Sequence, residues 1–217
     1  EQAFDLGKQS LTGVFPEHKK QHVTKGHLSL VLCKNCSLLQ LGHSFNADEM
    51  YGDNYGYMSS LNKSMFEHLK NKVPKLKSLI NLQSKDIIID IGSNDGTFLS
   101  FFNKKFKLIG IDPTIKKFYR FYRKDIIKIP DFFSREVLNT HLNKILKDKK
   151  AKLITSISMF YDLPDPIKFV EDIYNCLDND GIWHLEQSYM PAMIRNFSYD
   201  TICHEHLEYY SLKSIKF

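Results

Sequence analysis

Asp90-Ile-Gly-Ser-Asn-Asp-Gly96 and, about 20 positions further on, Asp112 are the residues whose types and spacing point most directly to chemistry. Gly92 and Gly96 remove β-carbons that would block a ligand or strain a tight turn, while Asp90 and Asp95 leave that turn acidic. A dinucleotide fingerprint, GxGxxG, sets a helix N-terminus against pyrophosphate, and this loop lacks its middle glycine. An acidic turn suits a cationic ligand better, and a sulfonium with an amino-acid tail, as in S-adenosylmethionine, fits that description. Asp112 is then expected to accept hydrogen bonds from ribose hydroxyls. Gly92, Ser93, Asn94 and Gly96 would line the cofactor between the two acids. Asp131, Phe132 and Phe133 could border an adenine, and Ser156 and Ser158 follow the fourth expected strand. Packing at the sheet end is the bland alternative for these last five.

Three other groups carry chemical potential. In His204-Glu205-His206, two imidazoles bracket a carboxylate, which permits tuned proton transfer, although an HxH pair also ligates zinc or simply sits on a surface. The run Met50 to Tyr57 is rich in glycine and tyrosine, and its phenols could bond a substrate or merely pack. Cys33 and Cys36, a CxxC pair, are spaced to grip one tetrahedral zinc, with His18, His22 or His27 as conceivable further ligands.

These residues must be positioned by elements that the pattern also predicts. After Ser84, short apolar strands alternate with helices, the signature of an α/β fold with a parallel sheet and crossover helices. Strands are expected at Asp86–Ile91, Lys107–Asp112, Lys152–Ile157 and Gly181–Gln187, with a third-in-order strand ending just before Asp131. Helices are expected at Gly96–Asn103, Ser134–Lys147 and Pro166–Leu177. Ser59 or Ser60 is expected to cap a helix ending near Pro74. Residues 1–45 form a small module whose apolar content is thin for a core of its own. Residues 46–84 are read as an aromatic loop and helical linker, and residues 85–217 as the cofactor-binding core.

The 217 residues are 42% hydrophobic and 25% charged, ordinary for a globular protein, and the net charge of +5 comes from scattered lysines without a nucleic-acid signature. No apolar run reaches the ~18 residues needed to cross a bilayer, and no signal peptide opens the chain. Four cysteines do not make a disulfide scaffold. A cytoplasmic location is therefore expected, with neither nucleic acid nor membrane as partner.

Over nearly its whole length the chain resembles the nucleotide-sugar C-methyltransferases. The resembling stretches are Leu32–Leu41, Tyr51–Tyr57, Asp90–Gly96, Gly110-Ile-Asp-Pro-Thr114, Ile154–Asp162, Leu185–Pro191 and Cys203-His-Glu-His-Leu-Glu-Tyr-Tyr-Ser211. The resemblance implies a Rossmann-like S-adenosylmethionine-binding core with a zinc-ribbon-like N-terminal segment, and it adds Pro113 to the cofactor loop. It implies transfer of a methyl group to a carbon of a nucleotide-linked keto-deoxysugar, by base-catalysed enolate formation and in-line attack. His206 would be the base, Glu205 would sit beside it, and Tyr55 or Tyr57 would supply a phenol. The family's zinc site looks like two CxxC pairs, of which this chain shows Cys33 and Cys36, and its C-terminal sugar-binding domain would follow Phe217, so the chain reads as truncated at both ends. O- or N-methylation of another small metabolite and a non-catalytic, cofactor-binding interaction module are the competing functional readings.

Overall fold

Isoleucine-rich runs with no polar face become buried strands of a parallel sheet, and five of them do so here. A computed structural model describes residues 1–12, 14, 16–46, 50–51, 55–146 and 149–216, with side chains undescribed at 143–146. The described residues form two units, one of residues 1–56, 158–164 and 187–217, the other of residues 57–157 and 165–186. Residues 52–54 of the tyrosine-rich loop, Lys147 at the end of an expected helix, and Phe217 lie outside the described residues.

In the second unit the strands are β4 (Ile87–Ile91), β5 (Lys107–Ile111), β6 (Ile127–Ile129), β7 (Ala151–Ile157) and β8 (Leu177–Glu186), in the order β6-β5-β4-β7-β8 and all parallel. The chain winds outward from β4 through β5 to β6, then returns to the other side of β4 to make β7. The strand order therefore reverses between β4 and β7, where doubly wound sheets bind ligands beyond their carboxyl ends. Asp90 and Thr155 are register partners across that boundary.

The flanking helices are α1 (Lys63–Leu79), α2 (Thr97–Ser100), α3 (Ile115–Phe118), α4 (Arg135–Leu146) and α5 (Pro166–Cys176). Leu69, Val73 and Leu76 of α1 join Ile88, Phe98, Leu99, Phe102, Leu108, Tyr122 and Leu153 in one buried cluster. The expected strands and α5 are present within a few residues, except that β8 begins at Leu177, four residues ahead of Gly181.

Two helices differ from expectation in their boundaries. The cap of α1 is Asn62, whose side-chain oxygen accepts from the amides of Ser64 and Met65, and Pro74 lies inside the helix rather than at its end. Ser59 and Ser60 instead spend their amides on Asn94 and Asp95. The helix after Gly96 stops at Ser100 and closes in tight turns through Phe102.

The first unit holds a four-stranded antiparallel sheet of β1 (Gln2–Ser10), β2 (Lys25–Leu32), β3 (Leu39–Leu41) and β9 (Glu208–Tyr209), with Leu39 opposite Tyr209. The sheet packs Leu28, Leu30 and Leu41 around Tyr209, with Met190 and Met193 of α6 (Met190–Arg195) against the cluster. A short last helix, α7, spans Leu212–Ile215. The core of this unit is completed by residues from beyond position 187. The units thus do not follow sequential boundaries, and the His204–Tyr210 segment belongs with the N-terminal residues.

Gly96 has φ +76, and a Cβ added there would lie 2.5 Å from the Tyr122 ring. The buried ring, rather than a ligand, is what stands where a side chain would be. Gly96→Ala should therefore cost about 1–3 kcal/mol from overpacking, with left-handed backbone strain in addition. Urea unfolding checks this, and a midpoint equal to that of the wild type would show that Tyr122 does not constrain the loop.

Candidate active site

The turn after β4 is built by hydrogen bonds that begin with Asp112 at the end of β5. Its Oδ1 accepts from the Thr114 amide (2.7 Å) and hydroxyl (2.5 Å), and its Oδ2 accepts from the Asn94 amide (2.9 Å). Two donors satisfy Oδ1, while Oδ2 retains an acceptor position for one further donor such as a ribose hydroxyl. Asp112 is buried, and burial raises its pKa, with the Thr114 and Asn94 bonds acting the other way and the Asp95 charge adding to the rise.

Asp90 is held more tightly. It is fully enclosed at the end of β4, Thr155 of β7 donates its hydroxyl to Oδ1 at 2.6 Å, and burial pushes its pKa up to about 7. The Thr155 bond opposes that rise and the Asp112 charge reinforces it. Asp90, Asp95 and Asp112 thus surround one turn with acidic side chains.

Within the turn, Gly92 has φ 70 and Asn94 φ 50. Ser93 is buried and its hydroxyl meets the Tyr122 hydroxyl at 2.7 Å, while Tyr122 also donates to the Asn94 carbonyl at 2.8 Å. The side chains of Ser93 and Asn94 are therefore engaged by the protein, so a ligand at this turn meets chiefly backbone and the carboxylates. Pro113 is half-buried beside Asp112. Asp131 and Phe132 are exposed after β6, and Phe133 packs edge-on against Phe169, centroids 5.1 Å apart. Ser156 is buried and accepts from the Trp183 indole N–H at 2.9 Å. Ser158, an exposed residue at φ 54, lies in the first unit.

The acidic turn fits a sulfonium cofactor on these observations. An anionic pyrophosphate would face three carboxylates, whereas a cation gains from them, and Asp112 Oδ2 keeps room for a hydroxyl donor.

In the first unit, His206 Nδ1 lies 2.7 Å from the Thr201 carbonyl oxygen, and its ring packs edge-on against Tyr161 with centroids 4.4 Å apart. A carbonyl can only accept, so Nδ1 carries the proton and Nε2 presents its lone pair. Burial lowers the His206 pKa, against the opposing pull of the Thr201 carbonyl and the Glu205 charge. His204 does something else: it is buried, bonds the Gly26 carbonyl through Nε2 at 3.2 Å and meets Phe45 edge-on. The two imidazoles use different carbonyls and do not form a metal-binding pair.

Beside them is a cluster that joins the candidates Glu205 and Tyr55 to Tyr51 and Asp162, which had no role assigned from the sequence. Tyr51 hydrogen-bonds the Asp162 carboxyl, stands 3.4 Å from the Glu205 carbonyl, and stacks obliquely on Tyr55, centroids 5.5 Å apart. Burial drives the Asp162 pKa well up; the Tyr51 bond opposes this, and Glu205 and Glu208 add to it. Tyr57, in the second unit, is partly exposed and bonds Ser59. Tyr51, Thr155 and Asp162 lie in stretches that carried the resemblance but had no role assigned to them there, and Tyr122 lies outside those stretches.

Cys33 and Cys36 lie in a tight turn closed by the Ser37 amide on the Cys33 carbonyl. The Cys33 thiol is lowered by the amides of Cys36 and Asn35 and by the Cys36 side chain, as suits a thiolate. Among the described residues no group of three or more His, Cys, Asp or Glu could hold a metal ion. Two donors are half of a tetrahedral zinc set, so the described residues do not by themselves fit the metal. His27 is instead 3.8 Å from Asp5. No helix among the described residues is long and apolar enough to cross a membrane.

The burial of Asp90 has a measurable cost. Its pKa is raised in the folded state, so the penalty is fully present above about pH 7, shrinks as the folded carboxyl takes up a proton, and vanishes below the unfolded value near ~4. Asp90→Asn keeps an oxygen for Thr155 and should raise the thermal midpoint at pH 8 by at least about 2 °C. The gain should fade toward pH 4. Scanning calorimetry at the two pH values checks it, and an equal effect at both would refute the assignment.

Comparison with known proteins accords with this geometry. Residues 61–216 match the family model described as "Methyltransferase domain", and residues 1–51 match one described as "Putative zinc binding domain". C-methyltransferase NovU of Streptomyces niveus is 28% identical over 189 residues, covering 87% of this chain and 44% of that protein. The chain therefore spans less than half the length of that relative. Among solved structures, the YcgJ protein from Bacillus subtilis aligns with a TM-score of 0.53 at 18% identity, covering 69% of this chain and 65% of that one. The plantazolicin methyltransferase BpumL, in complex with a triazolic desmethylPZN analog and SAH, aligns with a TM-score of 0.50 at 17% identity, covering 64% and 54%. The two structural likenesses show the fold, and the match over residues 61–216, well over half the chain, shows the family: this chain belongs to the methyltransferase-domain family.

Proposed function

We propose that the chain carries the cofactor-binding and base-bearing parts of an S-adenosylmethionine-dependent C-methyltransferase acting on a nucleotide-linked keto-deoxysugar. The observation that carries the catalytic reading is His206: a half-buried imidazole with its proton fixed on Nδ1 and a pKa below the usual range is a base. That base would serve oxygen as well as carbon, and the choice of carbon rests on the resemblance. The name of the relative NovU, a C-methyltransferase, and the SAH held by BpumL support the same reading. The sugar nucleotide rests on the resemblance of the motif stretches.

When bound, S-adenosylmethionine supplies an electrophilic methyl group. The chain's own residues do the rest. Asp112 Oδ2 accepts a ribose hydroxyl, and Asp90 and Asp95 keep the turn after β4 favourable to positive charge. His206 Nε2 accepts the proton from the carbon next to the ketone; the electron pair of that C–H bond forms the carbon–carbon double bond of the enolate while the carbonyl π pair moves onto the keto oxygen. The Thr201 carbonyl and the Glu205 charge both stabilise the imidazolium that results, because each favours the protonated ring. Tyr55 or Tyr57 is proposed to donate its phenol to the keto oxygen. Cys33 and Cys36 are proposed as two thiolate ligands of a zinc ion.

His206→Asn should leave S-adenosylhomocysteine binding intact while slowing turnover of a nucleoside-diphosphate keto-deoxysugar by roughly 10²–10⁴-fold. In deuterium oxide the wild type should wash deuterium into the carbon next to the ketone without added cofactor, and the variant should not. Because the base must be neutral, wild-type kcat/KM should rise with pH through a value below 6.5 and then level off. Wild-type rates in the variant would remove His206 as the base, and a new methyl found on oxygen or nitrogen by carbon NMR would favour O- or N-methylation.

A further inference from the structure

Asn94 sits in the left-handed region, φ 50, in a turn that already uses glycine at 92 and 96. A non-glycine residue there costs energy, and asparagine is tolerated because its short side chain can bond locally. Here the side chain makes longer-range bonds. Oδ1 accepts from the Ser59 amide at 3.0 Å and lies 3.4 Å from the Ser59 hydroxyl, and Nδ2 donates to the Tyr57 carbonyl at 3.1 Å. The neighbouring Asp95 holds the Ser60 amide at 3.0 Å. The Ser59 hydroxyl in turn bonds the Tyr57 phenol. At its other end, the backbone amide of Asn94 bonds Asp112 Oδ2, the oxygen left open for a ribose hydroxyl.

We infer that Asn94 is a positioning residue that couples cofactor occupancy at Asp112 to the placement of residues 57–60, and so of the Tyr57 phenol. The inference rests on the cofactor reading above and adds a coupling to it. The chain of contacts is continuous: Asp112, the Asn94 amide, the Asn94 carboxamide, the Ser59 amide and hydroxyl, the Tyr57 phenol. A ligand hydroxyl on Oδ2 shares that oxygen with the Asn94 amide, so binding pins Asp112 and fixes the turn from which the carboxamide projects. The coupling is reciprocal, as any linkage between two binding events must be. Fastening residues 57–60 tightens cofactor binding by the same factor by which the cofactor fastens them. Asp95 adds a second attachment one residue further along, so the segment is held at two points.

Hydrogen exchange on the full chain tests the idea, with S-adenosylhomocysteine as the probe. In the wild type the ligand should slow exchange of the Ser59 amide by about fivefold or more, the lower range for coupling between sites. Asn94→Gly suits φ 50 and removes only the carboxamide, so it separates the hydrogen bonds from backbone strain. In that variant the ligand-induced slowing should disappear, and the dissociation constant should rise by about the same fivefold. Asn94→Asp, which keeps the acceptor for Ser59 but removes the donor to Tyr57, should show an intermediate slowing, and this second variant keeps the test open if Asn94→Gly does not fold. Undiminished slowing in either variant overturns the coupling, as does a wild type that binds the ligand with Ser59 exchange unchanged. A wild type that fails to bind the ligand instead overturns the cofactor reading itself.

Discussion

Asp90 is an ionisable group placed where water cannot reach it, and the surrounding architecture follows from keeping it there. A carboxyl with a pKa raised to about 7 by burial opposes folding at neutral pH. It is offset by a hydroxyl from the adjacent strand, Thr155, which only the parallel pairing of β4 with β7 brings opposite it. That pairing is the one across which the strand order reverses. The isoleucines of β4, buried without exception, anchor the pairing by burial on both faces. The carboxylate is thus sited at the one place in the sheet where neighbouring crossover connections diverge.

The same logic extends to the turn. Gly96 leaves space for the Tyr122 ring, and the Tyr122 hydroxyl fastens Ser93 and the Asn94 carbonyl. Asn94 in turn fastens Asp112 and residues 57–59. A loop of small residues, which on composition alone would be pliable, is made stiff by an aromatic residue behind it. Such bracing lowers the ordering cost of binding, and a ligand on Asp112 fixes the freedom that is left.

Much of this was legible in the sequence. The strands from Ile87 onward announced themselves as short apolar runs, and the acidic pair Asp90 and Asp112 stood at the interval that a doubly wound sheet requires. The cap of α1 was not legible, because Ser59 and Ser60 are as good capping types as Asn62, and only tertiary bonds to Asn94 and Asp95 draw them away. Tyr122 and Thr155 were given no role for the same reason: one tyrosine in an aromatic stretch, or a threonine in a strand, has no periodicity that reveals its partner. The His204-Glu205-His206 triplet was legible as chemistry but not as geometry. Its two histidines play unlike parts, one packed under Phe45 and one offering a lone pair, and which is which depends on carbonyls at Gly26 and Thr201.

The antiparallel sheet of the first unit has an implication for how the chain reaches its native state. Leu28, Leu30 and Leu41 are synthesised before the parallel sheet, yet the tyrosine they pack around, Tyr209, follows every strand of that sheet. Contacts between residues so distant in sequence are slow to form, since loop-closure entropy is spent before they bring any return. During synthesis the parallel sheet can complete while those leucines still face solvent. These N-terminal strands are therefore aggregation-exposed during synthesis, and a cell that makes this protein must shield an apolar surface whose cover emerges only after the whole parallel sheet.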